Sequence, residues 1–370
     1  MEAVLKGSTS TQQRFEIGDP SQVSFARRGI GDLSVSLGFD ETVSGRLAII
    51  VTECATNQLK YAQRGELLVR SLREVVPPGV ERVAREGIEL LAIDSGPGIA
   101  DLHASFVDGY TTAGSSGNGL GAIQRLADEL DVWSAPGLGT ALRAVVWGHG
   151  AAPFSTTGDA GSTARASGTI EFGAINLPLQ GEFVCGDAWS CCYEDDGFLV
   201  MVADGLGHGP LANTAAVAAT DAFGRLGPST VEQIVTASHD ALRGTRGAAV
   251  GVARIPLATE HAARAVARFC GIGNIAASVW SPVSHKHLVS HAGIVGHQMH
   301  KAQAFEVEWP ADALLILHSD GLATRWDLSR YPGLALRHPS LIAATLYRDF
   351  ARGRDDITVF VARARDAERR

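Results

Sequence analysis

Residues 202–209 read VADGLGHG, an apolar run that delivers one aspartate, Asp204, into a cluster of glycines. An Asp-Gly pair between apolar stretches is a strong hairpin signal and by itself asks for no chemistry. The chain uses the same device at 313–326, ALLILHSDGLATRW, where a strand-like run at Leu314 to Leu317 ends in His318, Ser319, Asp320 and Gly321. Further acidic strand ends are Asp187 in GEFVCGDAW and the pair Asp355 and Asp356 in GRDDITVFV. Gathered closely, such carboxylates repel one another unless a cation sits among them, and hard oxygen donors select Mg²⁺ or Mn²⁺. Glycine after Asp204 frees the backbone to approach an ion, so the Gly205 carbonyl is a further candidate ligand.

Around these strand ends lies a chain of 370 residues, 45% of them apolar. At roughly 150 residues per domain that is enough for two cores. No apolar run approaches the roughly 18 residues of a membrane span. The start, MEAVLKGSTSTQQRF, has neither the basic flank nor the apolar centre of a signal peptide, so a cytoplasmic chain with no membrane association is expected. Five cysteines without a Cys-x-x-Cys pair argue against a disulfide framework or a zinc site. A net charge of −8 offers no footprint for nucleic acid, which leaves protein or small-molecule partners.

Residues 148–168, GHGAAPFSTTGDAGSTARASG, are almost entirely Gly, Ala, Ser and Thr and read as a flexible linker. The expected organisation is therefore a domain at 1–147, the linker at 148–168 and a second domain at 169–370, both mixing helix and strand.

In the first domain, 100° spacing over Thr42 to Gln63 puts Leu47, Ile50, Val51, Cys54 and Tyr61 on one face, with Glu53, Asn57 and Lys60 along its margin. Taken alone, that polar strip is an ordinary solvated face. The stretch GIELLAIDSGPGIADL, 87–102, then reads as a buried strand topped by Asp94 and a turn at Gly96 and Gly98. In GYTTAGSSGNGLGAIQRLADEL, 109–130, Gly117, Gly119 and Gly121 run into a helix whose first amides could cradle phosphates. The spacing is not a Walker loop, and the strand-first context of a dinucleotide fingerprint is missing.

In order and spacing, these pieces and SAPGLGTAL at 134–142 resemble the GHKL ATP-binding fold over roughly residues 15–147, closest to RsbT-type switch kinases. The resemblance implies ATP and Mg²⁺, with Asn57 ligating Mg²⁺ and Asp94 accepting the adenine amino group. It makes Glu53 the catalytic base, and Lys60, Gly96, Gly98, Thr112, Gly117, Gly119, Leu120, Gly121 and Thr140 part of the nucleotide pocket. Phosphoryl transfer to a hydroxyl needs mainly positioning, a divalent ion and one carboxylate to take the proton. A histidine kinase of this fold would need a helical segment bearing the phosphorylated histidine. Residues 1–40 contain no histidine, and too little helix is expected there.

The second domain resembles the metal-dependent phosphatases of the SpoIIE-like branch, and within it the RsbX type, over roughly residues 170–364. VADGLGHGPLAN, RGAAVGVARI, FCGIGNIAA, HSDGL and RDDITVFV fall in family order. The resemblance implies an α-β-β-α sandwich holding two Mn²⁺ or Mg²⁺ ions. Asp204 would bridge them, Asp187 and the Gly205 carbonyl would complete one, and Asp320 and Asp355 would hold the other, with Asp356 in support. Water activated by two ions needs no nucleophilic side chain. Cys185, Cys191 and Cys192 accordingly read as structural, His208 as a loop residue, and no basic residue near Asp187 stands out as a phosphate clamp.

The expected fold class is α+β, a GHKL α/β sandwich tethered to a phosphatase sandwich. Together the resemblances imply a kinase and an opposing phosphatase acting on STAS-domain proteins, as in a stressosome or partner-switching pathway that ends at a sigma factor or a downstream phosphatase. Two alternatives keep only the second domain catalytic: an ATP-dependent anti-sigma binding module, or a nucleotide sensor attached to the phosphatase. The linker is too featureless to carry a conformational signal, so partner docking is expected to choose between the two activities.

Overall fold

The computed structural model describes residues 11–62, 65–76, 84–106, 119–148, 169–194, 197–257, 265–299 and 301–365. Elements of the N-terminal part are β1 (Gln13–Ile17), α1 (Pro20–Ser36), α2 (Glu41–Tyr61), β2 (Gly65–Arg73), β3 (Glu86–Asp94), α3 (Gly119–Leu126), β4 (Glu129–Ser134) and β5 (Thr140–Trp147). Its antiparallel sheet has the order β1-β2-β3-β5-β4. The start of α1 is set by Asp19, which caps the helix in a reciprocal box with Gln22 ahead of Pro20. More helix precedes residue 40 than the sequence suggested. It belongs to the domain itself, because Ala26 and Ile30 are buried in one core with Leu47, Ile50 and Val51 of α2 and Leu67, Leu90 and Leu142 of the sheet. The α2 stripe is buried as expected except at Tyr61, which is 38% exposed where the helix ends. Gln58 lies on that buried face and fastens α2 to the sheet by donating to the carbonyls of Glu66 and Ile93.

The C-terminal part contains β6 (Thr169–Leu177), β7 (Asp187–Glu194), β8 (Gly197–Gly205), α4 (Pro210–Arg225), α5 (Val231–Ala241), β9 (Ala248–Pro256), β10 (Val266–Ile272), β11 (Ala276–Ser281) and β12 (Ser284–Leu288). After these come the short strands β13 (Ser290–His291), β14 (Gly293–Ile294), β15 (Gln298–Met299) and β16 (Phe305–Glu308), then β17 (Leu314–His318), α6 (Pro339–Phe350) and β18 (Ile357–Arg365). One sheet runs β13-β10-β9-β8-β7 with β16 beside β10, and the other runs β12-β11-β17-β18-β6. Trp189, Phe198, Phe269, Leu317 and Phe360 meet between them. Helices α4 and α5 close the outer face of the first sheet through Ala216, Phe223, Ile234 and Val235.

Helix α6 covers the outer face of the second sheet, and every residue from Pro339 to Tyr347 is buried. A helix apolar all round needs cover on all sides, and the second cover comes from the other half of the chain. Leu341, Ile342, Leu346 and Tyr347 share one core with Ile175, Ile316 and Val359 on one side and Leu68, Leu91, Ile93 and Trp133 on the other. The layers therefore stack as α1 and α2, the N-terminal sheet, α6, then the β12-β11-β17-β18-β6 sheet, the sheet containing β7 to β10, and α4 and α5.

Polar groups stitch the same joint. Glu89 of β3, 1% exposed, accepts hydrogen bonds from Arg70 Nε (2.8 Å), Arg143 Nε (2.7 Å) and Ser340 Oγ of α6 (2.8 Å). Burial alone would raise its pKa, but the flanking Arg70 and Arg143 outweigh that and hold the carboxyl well below the usual range. Gln12 donates to the Ala174 carbonyl and accepts from the Asn176 amide, and Tyr347 donates to Glu66.

Candidate functional site

Two sites are built on opposite sides of this joint. In the first, α2 presents Glu53 and Asn57 one helical turn apart, both half-buried, while Lys60 is exposed. Helix α3 begins against them: a Cβ on Gly119 would lie 2.9 Å from Glu53 Oε2 and 3.5 Å from Asn57 Nδ2. Leu120 is half-buried and Gly121 buried in the same first turn. Thr112 and Gly117 lie outside the described residues.

Asp94 ends β3 directly opposite Thr140 of β5. Burial raises its pKa, opposed by hydrogen bonds from the Gly96 and Thr140 backbones and by nearby Arg348. Gly96 N donates to Asp94 Oδ1 at 2.8 Å. Gly98 and Gly139 bring neighbouring loops close. At Gly139, φ is 77° and a Cβ would stand 2.1 Å from the Asp94 carbonyl oxygen, so only glycine fits. The fold thus gathers Glu53, Asn57 and Gly119 in one group and Asp94, Gly96 and Thr140 in another. The oxygens of a carboxylate and a carboxamide are hard ligands suited to Mg²⁺, N–H groups at a helix start suit phosphate, and a half-buried carboxylate suits an amino donor such as adenine's.

In the second site, Asp187 at the start of β7 pairs directly with Asp204 near the end of β8. Asp187 is 3% exposed and accepts from Ser319 Oγ at 2.6 Å. Burial and then the Asp204 charge push its pKa well up. Asp204 is raised too, by burial first and then by Asp320, Asp355 and Asp356. Asn274, in the bend between β10 and β11, donates to Asp320 Oδ2 at 2.8 Å. Asp356 is buried and its Oδ2 has no hydrogen-bond partner. Among the described residues, no three His, Cys, Asp or Glu side chains form a metal cage by themselves. What they do form is a set of carboxylates in mutual repulsion with an orphaned buried oxygen. A divalent cation with backbone and water ligands would relieve both, so the donor set fits Mg²⁺ or Mn²⁺.

Gly205 is explained by packing as well as by its carbonyl, since a Cβ there would meet the Ala212 carbonyl of α4 at 2.1 Å. His208 is an exposed loop residue paired with Glu182 at 2.7 Å. Cys185, Cys191 and Cys192 are buried, and burial pushes the thiols of Cys185 and Cys191 far up, as expected of packing residues. One cation was missed. Exposed Arg246 places Nη1 3.2 Å from where a Cβ of Gly207 would be, beside the Asp204 loop. Arg246 lies 39 positions after Gly207 (246 − 207), and the contact between them is not a local one. Asn274 and Ser319 were also missed as supporting residues, although both lie inside motifs that end strands.

Residues 18–146 match the histidine kinase-like ATPase domain family, and residues 194–365 match the stage II sporulation protein E (SpoIIE) family. The first part is 33% identical over 126 residues to the serine/threonine-protein kinase RsbT of Bacillus subtilis (strain 168), a match spanning 33% of this chain and 86% of RsbT. The chain is a fusion of an RsbT-like ATPase domain with a SpoIIE/RsbX-type phosphatase domain. Its second part is 26% identical over 147 residues to the phosphoserine phosphatase RsbX of the same organism, spanning 40% of this chain and 71% of RsbX. A solved structure of RsbX in complex with magnesium matches at a TM-score of 0.47 and 23% identity, covering 53% of this chain and 96% of that one. No helix among the described residues of the fusion is long and apolar enough to cross a membrane.

Proposed function

We propose that the RsbT-like domain phosphorylates a serine or threonine of a STAS-domain protein and that the SpoIIE-type domain hydrolyses that phosphate, in stressosome-like signalling. The observation that carries the reading is the facing of Asp187 and Asp204 across β7 and β8, with Asp320 and Asp355 within electrostatic reach. Asp187, Asp204, the Gly205 carbonyl, Asp320 and Asp355 would hold the phosphatase metals. Bound there, divalent ions would supply positive charge against the phosphate and lower the pKa of water. Ser319 donates to Asp187 and Asn274 to Asp320 and would hold those carboxylates in place, and Arg246, beside Gly207, would meet phosphate oxygens.

In the ATPase domain, Asn57 would hold Mg²⁺ and Glu53 would take the proton of the substrate hydroxyl as the phosphoryl group transfers. Support comes from their placement one turn apart against Gly119. Lys60, exposed at the helix end, would lie at the rim of the nucleotide pocket, and Asp94 would accept the adenine amino group. The test is to incubate the full chain with ATP, Mg²⁺ or Mn²⁺ and candidate STAS proteins, and follow phosphate by mass spectrometry. Gain of phosphate that requires Glu53 and loss that requires Asp204 are expected. Tight binding of a STAS protein or a sigma factor without any phosphate gain would replace the kinase with a sequestering module.

A further inference from the structure

The last turn of α6 touches both sites. Arg348 Nη1 donates to the Asp94 backbone carbonyl at 2.7 Å, and a Cβ on Gly139 would lie 2.7 Å from the same nitrogen. The guanidinium is fixed from three sides. Its Nε and Nη2 bind Asp349 at 2.7 and 2.8 Å, Asp349 is held in turn by the Tyr331 hydroxyl at 2.7 Å, and the cation sits 6.0 Å from the Trp133 ring centroid. Its side chain is only 8% exposed. A bidentate arginine whose carboxylate partner is itself held by a tyrosine is a preorganised contact, since less side-chain entropy remains to be lost.

Two residues further along, the backbone grips the strand end that carries Asp320. Ala323 N donates to the Phe350 carbonyl at 2.9 Å, Arg352 N donates to the Gly321 carbonyl at 2.8 Å, and Leu322 bridges Ala351. Residues 348–352 and their hydrogen bonds thus link Asp94 to the Asp320–Gly321 loop. The preceding residues of α6, through Tyr347, are held in the shared core, so that turn is anchored at its N-terminal side.

We propose that the phosphatase domain completes the nucleotide site, with Arg348 as a positioning residue for the Asp94 loop, and that nucleotide occupancy is thereby transmitted through the last turn of α6 to the Asp320 loop. The inference rests on Asp94 belonging to a nucleotide site. It assigns to a packed helix the signalling role that the featureless linker does not fill, and it makes the two activities coupled within one chain rather than merely tethered. Coupling of this kind requires an element that both sites bias, and the last turn of α6 is in direct contact with both loops.

The test uses the full chain, with ADP as the probe at constant free Mn²⁺. ADP affinity is measured by calorimetry, and hydrolysis of an aryl phosphate is measured with and without saturating ADP. Arg348→Met keeps the stem over Trp133 and removes the donors, whereas Arg348→Lys restores one donor. Expected are a fivefold or greater loss of ADP affinity in Arg348→Met, recovery of most of it in Arg348→Lys, and melting temperatures close to the wild type. The ratio of phosphatase rates with and without ADP should differ from one by at least twofold in the wild type and return to one in Arg348→Met. Unchanged affinity in Arg348→Met, or a ratio of one in a wild type that binds ADP, overturns the coupling and leaves the nucleotide site standing. A wild type that binds neither ADP nor ATP overturns the nucleotide site and the coupling together.

Discussion

Glu89→Gln should be among the most damaging single changes in the chain, although Glu89 lies in neither candidate site. Its carboxylate receives Arg70 through Nε and Nη2 (2.8 and 2.7 Å), Arg143 through Nε (2.7 Å) and Ser340 through its hydroxyl (2.8 Å). The arginine side chains are 2% and 6% exposed. Arg143 keeps a second partner in Glu129 at 2.9 Å, but Arg70 loses the carboxylate that both its nitrogens hold. Removing one partner of a buried pair leaves an uncompensated charge and costs about 3–5 kcal/mol. For domains of this size that corresponds to a fall in melting temperature on the order of 10 °C. Differential scanning calorimetry of both proteins measures it at pH 7.

The sign of the pH dependence follows from the depressed pKa of Glu89. The stabilisation is fully present above the ordinary glutamate value of 4.5 and fades as pH falls from there toward the lower folded value. The gap between wild type and Glu89→Gln should therefore be constant from pH 8 to about 6 and narrow as the solution becomes strongly acidic. A gap below about 1 kcal/mol at pH 7 would refute the assignment of a buried ionic joint, since a solvated pair is worth no more.

Asp204→Asn and Asp320→Asn should each abolish hydrolysis of a phosphoserine protein or an aryl phosphate while nucleotide binding persists, and chelator should silence the wild type likewise; full activity in Asp204→Asn would remove the metal assignment. Glu53→Gln should bind ATP normally and transfer no phosphate, whereas Asn57→Asp or Asp94→Asn should weaken nucleotide binding in calorimetry. Arg246→Ala should raise KM for a phosphorylated protein several-fold with a smaller change in kcat, and an unaltered KM would dismiss it as a phosphate contact. A protease site placed within 149–168 should, once cut, leave two fragments that co-elute in gel filtration, because α6 is buried against both sheets. Separation of the fragments would mean that the joint does not hold by itself.

Local patterns carried much of the site. Asp204 and Asp320 follow apolar runs and precede glycines, and β8 ends at Gly205 and β17 at His318, because a continuous apolar run must lie between layers and the chain turns where the run stops. Glu53 and Asn57 stand on one helix by their spacing alone. Arg246, Asn274 and Ser319 lie inside the motifs RGAAVGVARI, FCGIGNIAA and HSDGL and Arg348 lies in none, but what each of the four touches is far away in sequence, and local pattern does not carry such contacts.

The amino-acid sequence by itself determined that two sets of motifs share the chain and which residue types carry each chemistry, but its motifs did not single out the segment PSLIAATLY at 339–347, which forms helix α6 and is buried throughout. Periodicity and turn chemistry are local, so they survive without tertiary knowledge. Only the tertiary structure decided what covers the second side of that helix. Burial on all sides states a need for partners without naming them, and the partner is a sheet whose Ala141 and Leu68 lie 200 (341 − 141) and 273 (341 − 68) positions before Leu341. That choice turned two tethered domains into one packed body and brought Arg348 against Asp94.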